Sequence, residues 1–257
     1  MKKYPKKTVL YSSFNEDHDG GSLKAKAVGG EYRYVRRGAF HRILHFFFYR
    51  IVATPLAVFY KLFVGREKVH GKEKLKQAAG GGYFVYANHT QGAADAFSPN
   101  LAVFPKRAYT VVNSKNLSVG FFGKCLHYMG ALPVPTELSG IRNFTKAISE
   151  RVSENGVIII YPEAHLWPYA TFLRPFGEES FTYPVRCKAP AYTFTRVYRK
   201  KKNGYKTEIY IDGPFYPNPN VSDRVARTEL CEAVRAAMQK RCELSDIEIV
   251  RYEKADI

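Results

Sequence analysis

Asn88, His89 and Asp95 lie close together in "YFVYANHTQGAADAFSP", where the chain changes character abruptly. A histidine removes a proton from a hydroxyl only when a partner fixes its tautomer, and Asp95 is the carboxylate nearest to His89 in sequence. One reading is therefore a His89–Asp95 general-base pair. The other is a capping cluster, in which Asn88 and Asp95 serve a turn and a helix start around a partly buried histidine. A second polar group follows the apolar run "GVIIIYPE" and contains Glu163 and, two residues on, His165. No G-x-S-x-G nucleophile elbow is present, so a covalent serine route has no motif to stand on.

These residues need elements to position them. Tyr83 to Ala87 is aromatic and β-branched behind three glycines, Gly80 to Gly82, and reads as a buried strand over 83–88. The alternation continues with a helix near 93–103, a strand at 108–113, a helix near 119–129, a short strand at 131–134 and a helix at about 140–154. After the strand Gly156 to Glu163 come strands at 191–198 and 206–212, then a helix at about 221–241 with Val225, Val234 and Met238 on its buried side. Such alternation predicts an α/β fold with a mixed, largely parallel sheet flanked by helices. Parallel strands end on one edge, so the His89 and Glu163 turns could share a cleft.

The 257 residues suit one large α/β domain with an appendage, divided as an arm over 1–38, a helical element over 39–65 and a domain over 66–257. Forty Lys and Arg stand against 23 Asp and Glu, a formal net of +17. Residues 1 to 80 hold 17 basic and 6 acidic side chains, so most of the excess lies in the first third. Anionic partners are expected, either phospholipid or nucleic acid. Four scattered cysteines form neither a disulfide framework nor a zinc site and fit a reducing cytosol. The N-terminal residues lack a signal-peptide core. The arm lacks periodicity and is expected to be loosely ordered.

Residues 39–64 are aromatic and apolar, but Arg42, Arg50 and Lys61 interrupt them. The longest charge-free run, Ile51 to Tyr60, has ten residues and is too short to cross a bilayer. Pro55 removes a backbone donor, and Thr54–Pro55 suits a helix start, so two short helices joined near Thr54 are expected. Aromatics spaced between cations suit an interfacial element half-inserted in a membrane. The alternative is a pair of ordinary core helices. His41 and His45 lie one turn apart without a third ligand, and no metal is implied.

From Val69 to Gly213 the chain resembles the lysophosphatidate acyltransferase family of glycerolipid acyltransferases. "VHGKEKL" resembles its V-x-G-x-E-x-L, and "YANHTQGAAD" its N-H-x4-D block. "SKNLSVGFFGKCLHYMGALPVPT" resembles its K-x-E-L, F-F-G and G-A-I-P-V run. "GVIIIYPEAH" resembles F-P-E-G-T-R, "LRPFGEESF" resembles L-x-P-F-K-K-G-A-F, and "APAYTF" resembles V-P-I-V-P-V. Three departures stand out. Five residues rather than four separate His89 from Asp95, and Gly92 is expected to absorb the extra one at positive φ. Thr136 stands where the family has an arginine, and the F-P-E-G-T-R arginine is also missing. Arg142 and Arg174 are the nearby candidates for phosphate contacts.

The resemblance implies an acyltransferase. His89 would be the general base and Asp95 its orienter, with Asn88, Glu163, His165, Arg142 and Arg174 at the substrate. The donor would be acyl-CoA or acyl carrier protein, and the acceptor a lysophospholipid, foremost 1-acylglycerol 3-phosphate. No bound cofactor is implied. The partner surface would be the cytoplasmic face of a membrane, with no nucleic acid. Two rivals remain: a transferase or hydrolase of the same fold with another acceptor, and a non-catalytic basic protein binding membrane or RNA.

Overall fold

The computed structural model describes residues 4–18, 24–78 and 80–255. Its centre is a seven-stranded sheet in the order β2-β8-β7-β3-β6-β4-β5. In chain order these are β2 (Lys68–His70), β3 (Tyr83–Ala87), β4 (Ala108–Val112), β5 (Ala131–Pro133), β6 (Val157–Ile160), β7 (Ala191–Lys201) and β8 (Gly204–Phe215). All neighbours run parallel except the β7–β8 hairpin. The continuous apolar runs in β3 and β6 follow from burial on both faces. Phe84, Tyr86, Ile158 and Ile160 pack into the core on one side, and Tyr83, Val85, Val157 and Ile159 into the core on the other.

The helices beside the sheet are α2 (Gly92–Ala102), α3 (Gly120–Cys125), α4 (Leu138–Ser153), α5 (Thr182–Cys187) and α6 (Asp223–Cys242). The expected helix near 119–129 is shorter because the chain leaves it after Cys125 in a turn over 126–130 that leads into β5. In α6, Ala226, Leu230, Val234 and Met238 recur every fourth residue and form the buried stripe, whereas Val225 is 43% exposed and lies off it. Strand β6 ends at Ile160 rather than running to Glu163; Pro162 has no amide to continue a ladder.

The arm is not loose where it is described. β1 (Lys7–Tyr11) pairs in parallel with β9 (Val250–Lys254) to form a second, two-stranded sheet. Val28 and Tyr34 are buried in the main core, and the Tyr34 hydroxyl donates to Pro133 O at 2.8 Å. Nonlocal pairing orders a segment that has no periodicity of its own.

Residues 39–64 also differ from expectation. They form one helix, α1 (Ala39–Val64), not two. A wider π-helical turn at Phe47–Ala53 carries the helix into Pro55, and a second at Lys61–Gly65 ends it. Thr54 donates both its amide and its hydroxyl, the latter at 2.8 Å, to Tyr49 O. At ~1.5 Å per residue the 26-residue helix is long enough to cross a bilayer, and it is apolar with little of its surface buried. Length therefore does not exclude spanning, contrary to the count of charge-free residues. α1 also touches the α/β domain along one side. Tyr49 Oη accepts from Ala108 N at 2.8 Å, Arg50 donates to Pro105 O at 2.8 Å, and Tyr60 packs on Phe97 with ring centroids 5.5 Å apart. The stripe His45, Tyr49 and Ala57 is buried, while Phe40, Ile43, Phe46, Phe59, Leu62 and Phe63 on the outer side are each more than half exposed.

Candidate active site

β3 delivers His89 to the sheet's carboxyl edge. The chain then stays extended at Gln91 (φ −151°, ψ 100°), and α2 starts at Gly92 with Asp95 one turn in. The extra residue is thus taken up ahead of the helix. Gly92 is the first helical residue and is not among the positive-φ positions, so the expected role for it does not hold. Asp95 closes the turn with two contacts, accepting from Gln91 N at 2.9 Å and donating its own amide to Gln91 O at 2.7 Å.

His89 Nδ1 lies 2.7 Å from Asp95 Oδ2. The carboxylate accepts the Nδ1 proton, which leaves Nε2 as the basic nitrogen. The other carboxylate oxygen, Oδ1, is bound by the Arg196 guanidinium from β7. Burial alone would raise the Asp95 pKa, but Arg196 and the His89 contact hold it below the ordinary carboxylate range. Asp95 thus stays ionised while 3% exposed. Arg196 is itself buried and bonds Glu67 Oε1 at 3.0 Å, so two carboxylates compensate one guanidinium. Tyr161 completes the setting: its hydroxyl donates to Asp95 O at 2.6 Å and its ring lies 4.6 Å from the His89 ring.

The remaining sequence candidates separate by position. Asn88 is 1% exposed; its Nδ2 donates to Arg196 O at 2.9 Å and its Oδ1 accepts from Arg196 N at 2.8 Å, which locks the end of β3 to β7. Glu163 Oε2 accepts from His89 N at 2.8 Å, and Oε1 accepts from Arg174 N at 2.8 Å. Asn88 and Glu163 therefore hold the His89 turn from behind. Arg174 is 2% exposed, pairs with Glu163 at 3.2 Å and lies over Trp167 at 5.0 Å. It is structural, since a guanidinium packed this way presents no fork to a phosphate. Arg142 is exposed on α4 and lies outside the cavity lining. His165 does line the cavity, with His89 and Asp95.

That cavity has a volume of about 720 Å³. Its apolar wall includes Ala53 and Ala57 of α1, Phe97 and Leu101 of α2, and Leu126 and Met129. Its polar wall includes Asn113, Lys115, Thr136 and His165, together with Asp17 from the arm. Thr136, in place of the family arginine, is tied to the arm through Val28 N at 2.9 Å. Sequence reasoning missed Arg196, Glu67, Tyr161 and Asp17. Arg196 left a signal, a charge inside the otherwise uncharged "AYTFTRVY", which demands a buried partner. Asp17 left none.

Residues 66–197 match a family model described as Acyltransferase. No curated protein matches the chain. Among solved structures, the crystal structure of the 1-acyl-sn-glycerophosphate (LPA) acyltransferase PlsC from Thermotoga maritima is similar, with a TM-score of 0.54 and 16% identity over 79% of this chain and 88% of that one. At that identity the likeness speaks to the fold, whereas the family model covers half the chain and contains His89, Asp95 and Arg196. The chain belongs to the Acyltransferase family, the one the lysophosphatidate acyltransferases exemplify.

Proposed function

We propose that the protein transfers a fatty acyl group from a thioester, on coenzyme A or acyl carrier protein, to the hydroxyl of a lysophospholipid at a membrane surface. The observation that carries this reading is the His89–Asp95 pair, 2.7 Å apart, in the wall of a large, partly apolar cavity bordered by the exposed helix α1. His89 Nε2 takes the acceptor's hydroxyl proton as its oxygen attacks the thioester carbonyl carbon. Collapse of the tetrahedral intermediate breaks the C–S bond, and the thiolate leaves with the proton from the imidazolium. Asp95 stabilises that imidazolium, and Arg196 keeps Asp95 anionic throughout. The outer face of α1 rests on the cytoplasmic face of the bilayer, so an acceptor's tail stays in lipid while its head reaches His89.

1-Acylglycerol 3-phosphate is the acceptor to which the motif resemblance points. A second reading, an acceptor without a phosphomonoester, is favoured by Thr136 and the buried Arg174, which leave the cavity without an arginine among the described residues. The test is thiol release by purified protein given acyl-CoA or acyl carrier protein and a panel of lysolipids. Release with at least one acceptor, cut by about 10² to 10⁴ in His89→Ala, supports the reading. No release with any acceptor, or undiminished release in the variant, overturns it.

A further inference from the structure

The arm brings a carboxylate to the cavity that the transfer chemistry does not require. Asp17 Oδ1 accepts from His165 Nδ1 at 2.9 Å, and Oδ2 lies 3.2 Å from Lys115 Nζ. Lys115, His165 and His89 are the cation-forming side chains of the cavity lining among the described residues. His89 is committed to Asp95, so Asp17 occupies the cationic groups that remain. The contact is built in. Trp167, fully buried, donates its Nε1 to Glu16 O at 2.8 Å, and His18 N donates to Leu166 O at 3.2 Å. Glu16 Oε1 in turn accepts from Ser12 N and Ser13 N, both at 2.8 Å, just beyond the β1–β9 pairing. The segment it meets adjoins the catalytic turn, because Trp167 N donates to His89 O at 3.1 Å.

We propose that Asp17 sets the charge selectivity of the polar wall: it disfavours an acceptor carrying a phosphomonoester and favours one whose polar end is uncharged and rich in hydroxyls. The inference rests on the acyl-transfer reading and departs from a phosphomonoester acceptor, siding with the second reading above. A dianionic phosphate entering beside Lys115 meets a fixed carboxylate at hydrogen-bonding range of the same ammonium, and it must either repel or displace that carboxylate. An uncharged hydroxyl meets no such penalty and gains an acceptor. Burial would raise the Asp17 pKa, but His165 and Lys115 hold it below the ordinary range, so the negative charge persists at neutral pH.

The experiment measures kcat/KM for thiol release from acyl-CoA with two acceptors of equal chain length, 1-acylglycerol 3-phosphate and uncharged 1-monoacylglycerol. The wild type is expected to favour the uncharged acceptor. Asp17→Asn is expected to raise the phosphate-to-uncharged ratio by about tenfold, and Asp17→Glu, which restores the charge, to keep the wild-type ratio. A loosened arm would move both variants alike and leave the ratio unchanged, which overturns the inference. A wild type that prefers the phosphate acceptor overturns it without any variant. If the wild type releases thiol with neither of these acceptors nor any other lysolipid, the transferase reading itself fails. If it releases thiol but Asp17→Asn leaves the ratio within about twofold, only the selectivity of Asp17 fails.

Discussion

Replacing Asp95 by Asn changes one atom's chemistry and reverses the logic of the pair. The carboxylate accepts on all sides, from His89 Nδ1 at 2.7 Å, from Gln91 N at 2.9 Å and from the Arg196 guanidinium. An amide has one accepting oxygen and one donating nitrogen. A charged guanidinium set against an NH₂ is the costlier clash, so the amide oxygen is expected to face Arg196, and the NH₂ then faces His89 and, unfavourably, the Gln91 N–H. His89 Nδ1 is then obliged to accept, its proton moves to Nε2, and the ring loses its basic nitrogen on the substrate side. The expected fall in kcat is about 10² to 10⁴, or about 3–5 kcal/mol of transition-state stabilisation. Stability falls as well, since the 3%-exposed position leaves Arg196 compensated by Glu67 alone. Breaking a buried pair costs up to about 3–5 kcal/mol, less here because one oxygen is kept. The assay is thiol release under acceptor saturation, with circular dichroism to confirm folding and ¹⁵N chemical shifts of the imidazole to read the tautomer. A folded Asp95→Asn protein with wild-type kcat would refute the reasoning. So would an imidazole that still carries its proton on Nδ1.

Phe46, Phe47 and Phe63 are 62%, 47% and 64% exposed on α1, whereas Phe48 packs on Tyr128 with ring centroids 5.8 Å apart. Changing the first three to Ser is expected to release the protein from anionic vesicles in a flotation assay without lowering its melting temperature, each Phe being worth about 1.5–3 kcal/mol of burial; retained binding, or unfolding, would count against docking by this face. On the surface of the domain, the Asp212 carboxyl is pushed down to about 2 by hydrogen bonds from Arg241 and Lys74. A depressed folded value gives stability that is present above the ordinary 3.8 and is lost as pH falls towards 2. Asp212→Asn is therefore expected to cost about 1 kcal/mol at pH 7, allowing for solvent screening, with the gap to wild type closing between pH 4 and 2 in denaturant titrations.

The His89–Asp95 pair was legible because it is local. His89 and Asp95 sit at the two ends of one strand-to-helix turn, and a run of apolar residues ending in Asn-His is visible without a partner. β3, β6, α4 and α6 were legible for a related reason: burial on both faces leaves an unbroken apolar run, and burial on one face leaves a helical stripe, each written in neighbouring residues. What the rest of the site does was decided elsewhere in the chain. The guanidinium that keeps Asp95 ionised comes from 101 residues away, and the carboxylate that engages His165 comes from 148 residues away. A charge in a sequence announces that it needs compensation but not which opposite charge will supply it. Arg174 and Arg142 looked alike as phosphate ligands, yet burial against Trp167 turned one into scaffold and exposure on α4 left the other outside the cavity. The same holds for the backbone. Pro55 argued for a break that a widened turn and a packed face against the domain removed, and an arm without periodicity became a strand once β9 offered it a ladder. Short-range sterics and apolar pattern shape individual elements, whereas the partners of charges and unpaired edges are chosen only when distant segments meet in the folded chain.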